Sequence, residues 1–306
     1  MMINESLINH RVLCIGEILW DMLPSGAKAG GAPMNVALHL KKHGLSSQFA
    51  GRVGNDRLGH SLKDFLINQG LDISLIQVDT NFPTSTVEVK IDSDHQAKYD
   101  IVDNVAWDRL ELTDELKHAV EEADVLIYGT LASRHALTRE TIISIIEKPG
   151  LKFIDVNLRP PYVNKEVVEL LISKADIAKL NNEELKHIGD WYNKNFNESD
   201  LTKWFAEKYN CQTVCITRGA QGVLVLEQGS IFEHSGYRVN VVDTVGSGDA
   251  FLAGFLSVFL SGEPIEKALD FACATGALVA SKQGGTPDYT IDEIIKIMDI
   301  KKSKVD

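Results

Sequence analysis

The chain has 306 residues, of which 44% are apolar and 24% charged, and its formal net charge is −12. That is material for one large α/β domain or two small ones, with an ordinary globular core. The acidic balance excludes a protein whose main work is gripping nucleic acid or an anionic membrane, though backbone N–H groups can still hold a small phosphate.

The first ten residues are mixed and polar, with no apolar centre of a secretory signal. No apolar run reaches the roughly 18–20 residues of a membrane helix, so a cytoplasmic protein is expected. Strand-like runs follow at Val12–Ile18, Gln48–Val53, Val87–Ile91, Val125–Tyr128, Lys152–Val156, Ile177–Lys179, Thr213–Thr217 and Gly222–Leu226. Helical patterns lie between them at Pro33–His43, Leu58–Gln69, Thr113–Glu121, Thr138–Glu147, Lys165–Ser173, Asn182–Ile188 and Ser199–Tyr209. Such alternation predicts an α/β fold with a mainly parallel central sheet flanked by helices on both faces.

Two stretches break the rhythm. Residues 18–31 carry Trp20, Pro24 and several glycines with no helical period. Residues 84–103 hold two successive strand-like runs, Val87–Ile91 and Ala97–Ile101, joined by a turn at Asp92–His95. Both belong to a small β lid beside the main sheet, within a single domain over 1–306. Cys14, Cys211, Cys215 and Cys273 form no CxxC pair or Cys/His cluster. Buried thiols in a reducing compartment are expected, not a zinc site.

The run Asp243-Thr-Val-Gly-Ser-Gly-Asp249 leads into Ala250–Leu260, apolar on every side and so a buried helix. A glycine turn at the start of such a helix offers unpaired N–H donors and a positive dipole end, the makings of an anion hole. Asp249 falls in the first turn. It reads either as a plain helix cap or as a base taking a proton from an attacking hydroxyl. No P-loop run is present, and the first strand lacks a dinucleotide fingerprint.

Near the other end, Gly30-Gly-Ala-Pro-Met-Asn35 opens the first helix, with Pro33 in its first turn. Glycines allow a ligand to lie against the backbone, and Asn35 offers a donor and an acceptor to adjacent hydroxyls. Asp21 can accept two such bonds. Each of these also reads as an ordinary turn or surface residue when taken alone.

Together the two ends resemble the signatures of the ribokinase-like, or PfkB, carbohydrate kinases. Ser247 stands where that family usually has alanine. Gly16–Asp21, Gly51–Asp56, Asp155–Arg159, Lys179–Glu184, Thr217–Gly222 and Gln283–Gly285 match further motifs in the same order. The resemblance implies an ATP-dependent sugar kinase with Asp249 as base and the N–H groups of Gly246, Ser247, Gly248 and Asp249 as anion hole. It implies sugar contacts from Asp21, Gly30, Gly31 and Asn35, and nucleotide contacts from Asn181, Glu184, Thr217, Gly219 and Gly222. It also implies Mg²⁺ held near Glu184 through water, and a potassium-like cation with Asp243 as the acidic residue. Relatives often carry asparagine or histidine where this chain has Cys273, which reads here as a packed helix thiol.

Gly16–Pro24, the Gly30–Asn35 run and Ala106–Leu110 look most like fructokinases, so fructose is the expected sugar. Arg159 would also suit a carboxylate, as in 2-keto-3-deoxygluconate kinases, and ribose is a third option. The partners expected are sugar and ATP, with no nucleic acid or membrane, and a homodimer through the lid. A non-catalytic sugar or nucleotide sensor on the same fold is the alternative of another class.

Overall fold

The computed structural model describes residues 10–23, 26–91 and 97–302. Pro24 and the expected Asp92–His95 turn lie outside the described residues. The chain begins with β1 (Arg11–Ile15), β2 (Leu19–Leu23), β3 (Gly26–Gly30), α1 (Ala32–Lys42), β4 (Ser46–Gly54) and α2 (Arg57–Asn68). Next come β5 (Ile76–Asp79), β6 (Ser85–Ile91), β7 (Ala97–Ile101), α3 (Asp114–Glu122), β8 (Val125–Gly129) and α4 (Ala136–Ile146). They are followed by β9 (Leu151–Asp155), α5 (Lys165–Ile172), β10 (Ile177–Asn181), α6 (Asn182–Asp190) and α7 (Glu198–Tyr209). The remainder is β11 (Thr213–Thr217), β12 (Val223–Glu227), β13 (Ser230–His234), α8 (Ser247–Phe259), α9 (Ile265–Ala280) and α10 (Ile291–Lys302).

The main sheet has nine strands in the order β13-β12-β11-β10-β9-β8-β1-β4-β5, parallel from β5 to β11. β12 and β13 are added antiparallel at one edge. Its central strands are buried on both faces, and alternate residues serve different cores. Val12, Cys14, Val125 and Ile127 pack with α1, α8 and α9, while Leu13, Ile15, Leu126 and Tyr128 pack with the helices α3 to α7. All four cysteines are buried, as expected. A separate four-stranded sheet, β3-β2-β6-β7, forms the lid.

Departures from the predicted elements have local causes. β1 ends at Ile15 because Gly16, at φ +152°, turns the chain out of the sheet. β3 reads Gly-Ala-Lys-Ala-Gly, a composition of low strand propensity, and only pairing with β2 makes it a strand. β5 and β13 are short edge strands, and α10 was not predicted.

The apolar run after Asp249 is helical, and every residue from Ala250 to Val258 is buried. Phe255 is fully buried and stacks between Phe251 and Phe259, with ring centroids 6.4 and 5.2 Å away. Phe255→Ala should therefore lower unfolding free energy by about 3–5 kcal/mol. Urea unfolding checks this, and a loss under about 1 kcal/mol would contradict the packing described.

Candidate active site

The parallel strands all deliver their carboxyl ends to one edge of the sheet, where ligands of open α/β sheets bind. Glu17 leaves β1 there, Thr130 leaves β8, Asp155 ends β9, Asn181 ends β10 and Thr217 ends β11. Glu17, Pro33, Thr130, Asp155 and Asn157 line a common cleft.

The two motifs at the ends of the chain meet at this edge. Asn35 Nδ2 donates to Asp249 Oδ2 at 2.8 Å across 214 residues of sequence. Eight residues further along each helix, His43 Nδ1 lies 2.9 Å from Ser257 Oγ. α1 and α8 thus run side by side in the same direction, and both present their positive N-terminal ends to the site. Among the described residues the Asp249 carboxylate accepts from the Asn35 amide and from no backbone N–H of its own helix.

Glycine is required where these pieces touch. Gly246 adopts φ +71°, and a Cβ there would stand 2.3 Å from the Gly285 carbonyl oxygen. Gly31, at φ +123°, would meet the Glu17 carbonyl at 2.3 Å. Ser247 donates its hydroxyl to the Thr244 carbonyl, which tightens the turn. The N–H groups of Gly248 and Asp249 meet no backbone acceptor among the described residues, as befits the first turn of a helix, whereas the Ser247 N–H reaches the Thr244 carbonyl at 3.3 Å and would have to release it to join an anion hole.

A buried ion pair stands behind the turn. Lys179 and Asp155 are register partners on β10 and β9, and Lys179 Nζ donates to both Asp155 oxygens at 2.9 Å. A Cβ on Gly248 would lie 3.5 Å from that ammonium. Burial would drive Lys179 down, but Asp155, with Asp249 and Glu184 further off, holds it above the usual lysine value. Burial first, and Asp155 second, push Asp249 up to about 6, while Asn35, Lys179 and Arg159 oppose.

Asn181 and Glu184 form a capping box on α6: Asn181 Oδ1 accepts the Glu184 N–H, and Glu184 Oε2 accepts the Asn181 N–H, each at 2.8 Å. Glu184 Oε1 also accepts the Leu158 N–H at 2.8 Å, so the box ties β9 to β10. Burial, and then Asp155, push this carboxyl up. Thr217 pairs with Asn181 across the sheet. Gly219 and Gly222 belong to the following loop, where Gly222 packs on His234 and Gly236 and not on the carboxylate cluster.

On the lid side, Asp21 lies over Gly30, whose Cβ would stand 2.5 Å from Asp21 Oδ2. Burial, and then Asp243, push Asp21 up to about 6, with Arg159 opposing. Arg159 is thereby a shared counter-charge for Glu17, Asp21 and Asp249. The two Asp243 oxygens accept the Val245 and Gly284 N–H groups at 3.0 Å. These bonds make the carboxylate shape the turn, and each oxygen keeps a lone pair with which it could also ligate a cation.

Three residues of this cluster appeared in the sequence only inside quoted motifs, with no role attached: Glu17, Asp155 and Lys179. Glu17 is 3% exposed and its Oε1 accepts the Ala32 N–H at 3.2 Å, so it caps α1 from across the cleft. Burial pushes it up to about 7, Arg159 opposing and Asp249 adding. Glu17 Oε2 and Asn35 Oδ1 are both buried with no hydrogen-bond partner among the described residues. A carboxylate that follows Gly16 and precedes a Gly-Gly helix start was the available signal for Glu17.

Comparison with known proteins places the fold and the family. The chain is 29% identical over 298 residues to a fructokinase of Escherichia coli, covering 90% of this chain and 95% of the relative. It is 28% identical to a 5-dehydro-2-deoxygluconokinase of Geobacillus thermodenitrificans, covering 87% and 82%. The crystal structure of a fructokinase from Xylella fastidiosa with bound ATP superposes with a TM-score of 0.85 at 23% identity, covering 96% and 100%. The fold is therefore ribokinase-like. The model of the pfkB family of carbohydrate kinases matches residues 26–291, and the chain belongs to that family of sugar kinases.

Proposed function

We propose that this sugar kinase transfers the γ-phosphoryl group of ATP to a hydroxyl of fructose, with Asp249 as base. The observation that carries the reading is the pair of unpartnered buried acceptors, Asn35 Oδ1 and Glu17 Oε2, beside an ionisable carboxylate. Buried acceptors without donors are costly, and a polyhydroxyl ligand supplies the missing donors. Asp21, Gly30 and Gly31 complete the sugar side, and the lid strands cover it to exclude water that would otherwise accept the phosphoryl group. Asp249 takes the proton of the attacking hydroxyl, and the N–H groups of Gly246 to Asp249 receive the charge that develops on the phosphoryl oxygens.

Carboxylates outnumber ammonium and guanidinium groups in this cluster, so ATP needs a companion cation. Hard oxygen donors at Glu184 and Asp155 fit magnesium held through water, with Asn181 and Thr217 alongside for the nucleotide. Bound there, magnesium supplies positive charge between the phosphates and these carboxylates. Gly219 and Gly222 give the nucleotide loop its open backbone. Asp243 would serve as the acidic ligand of a potassium-like cation beside the turn.

Asp249→Asn should lower turnover by at least about a hundredfold with fructose affinity little changed. A coupled ADP-release assay measures this, and near-normal turnover sinks the assignment. A wild-type protein that binds sugar and ATP but releases no sugar-dependent ADP would favour a sensor instead. The base must be ionised, so activity should be full well above pH 6, half-maximal near about pH 6 and lost below it. Asp249→Asn should abolish that limb.

Arg159 keeps a second reading alive, because its guanidinium faces the sugar end of the cluster and would also hold a sugar carboxylate. Arg159→Ala should cost a keto-acid substrate far more than fructose. Equal small losses remove the acid-sugar reading. For assembly, Met22 on β2 is 42% exposed, and a homodimer through the lid would cover it. Light scattering at assay concentration should give twice the monomer mass; monomer alone removes the dimer.

A further inference from the structure

Asn35, His39 and His43 stand four residues apart on one face of α1, opposite Asp249 and Ser257 of α8. Asn35 serves the base, and the two histidines serve a different purpose. His39 Nε2 is 2.9 Å from the Gly285 carbonyl oxygen, and His39 Nδ1 is 2.9 Å from Tyr289 Oη. The same Tyr289 hydroxyl is 3.0 Å from His43 Nε2, and His43 Nδ1 is 2.9 Å from Ser257 Oγ. His39, His43 and Ser257 are all 2% exposed or less.

The direction of the bonds nearest Gly285 follows from that carbonyl. A carbonyl only accepts, so His39 Nε2 carries the proton that Gly285 receives. A neutral imidazole has one N–H, so His39 Nδ1 accepts from the Tyr289 hydroxyl. Further along, Ser257 has a single proton, and its 2.6 Å bond to the Ala253 carbonyl uses it, so the chain is directed only from Tyr289 to Gly285. Burial pushes His39 down to about 3 and His43 to about 4, with Lys42 adding to both, so neither is charged near neutral pH.

The recipient of the chain is the loop that closes the anion-hole turn. Gly285 is the residue against which Gly246 packs at sub-van der Waals range for any Cβ. From the same helix, Lys42 Nζ donates to the Thr286 and Pro287 carbonyls at 2.9 and 2.7 Å. On its far side, Gly284 donates its N–H to Asp243.

We propose that the directed chain Tyr289–His39 fixes the Gly285 carbonyl, and through it the Gly246 turn, making His39 and Tyr289 positioning residues for phosphoryl transfer. This rests on the reading of Gly246 to Asp249 as the anion hole. A loosened turn misplaces donors whose outright removal typically costs about 10²–10³ in turnover, so a partial loss of about tenfold is expected.

The test has two independent parts. Long-range ¹H–¹⁵N correlation spectra of histidine-labelled wild-type protein at neutral pH should show His39 as the Nε2–H tautomer. An Nδ1–H tautomer at His39 overturns the chain. Tyr289→Phe keeps the ring and removes the link, and should lower kcat about tenfold while the fructose Kd holds. His39→Leu should do the same, and His39→Gln, which keeps a donor for Gly285, should restore most of the loss. If the tautomer is as stated and kcat is unchanged in folded Tyr289→Phe and His39→Leu, the positioning role is wrong. Failure of the anion-hole reading shows separately, as near-normal turnover in folded Gly246→Ala, whose Cβ would displace the turn.

Discussion

The hydrogen bond from Asn35 to Asp249 is the contact on which the site depends. It joins the first turns of two parallel helices drawn from opposite ends of the chain. A buried side-chain amide, the proposed sugar contact, and a buried carboxylate, the proposed base, are thereby set within one bond of each other. The bond also leaves Asn35 with a buried acceptor and no donor, so the free protein carries an unmet demand that a hydroxylated ligand answers. Packing enforces the arrangement: α8 is buried over nine consecutive residues, and α1 is buried from Pro33 to Leu40.

Charge is the second constraint. Asp249, Glu184 and Glu17 are all pushed up by burial, a direction that disfavours their ionised forms. Lys179 and Arg159 offset part of this, Lys179 from beneath the turn and Arg159 from the sugar side. The remaining negative charge is what the proposed cation, travelling with the nucleotide, would offset. A carboxyl held near 6 is also a better proton acceptor than an ordinary aspartate, while still ionised at neutral pH.

Much of this was legible in the residues. Continuous apolar runs such as Val125–Tyr128 announce strands buried on both faces, and the helix after Asp249 announces itself by being apolar all round. The glycine turns were legible because few other residues reach their backbone angles. Other parts were not. β3 becomes a strand only by pairing, since Gly-Ala-Lys-Ala-Gly has no preference for one. The Lys179–Asp155 pair depends on the register of β9 and β10, which no local pattern encodes. His39 and His43 were readable as one helical face with Asn35, but their partners at Gly285, Tyr289 and Ser257 come from packing. α10 is different: Ile291, Ile294 and Ile297 carry a helical spacing that the sequence displays openly.

The most direct measurement of the account is a double-mutant cycle on Asn35→Ala and Asp249→Asn, read as kcat/KM for fructose. If the two side chains act as one unit, the double variant should be little worse than Asp249→Asn alone. Losses that multiply in full would mean that the two residues work independently, and would contradict the site described.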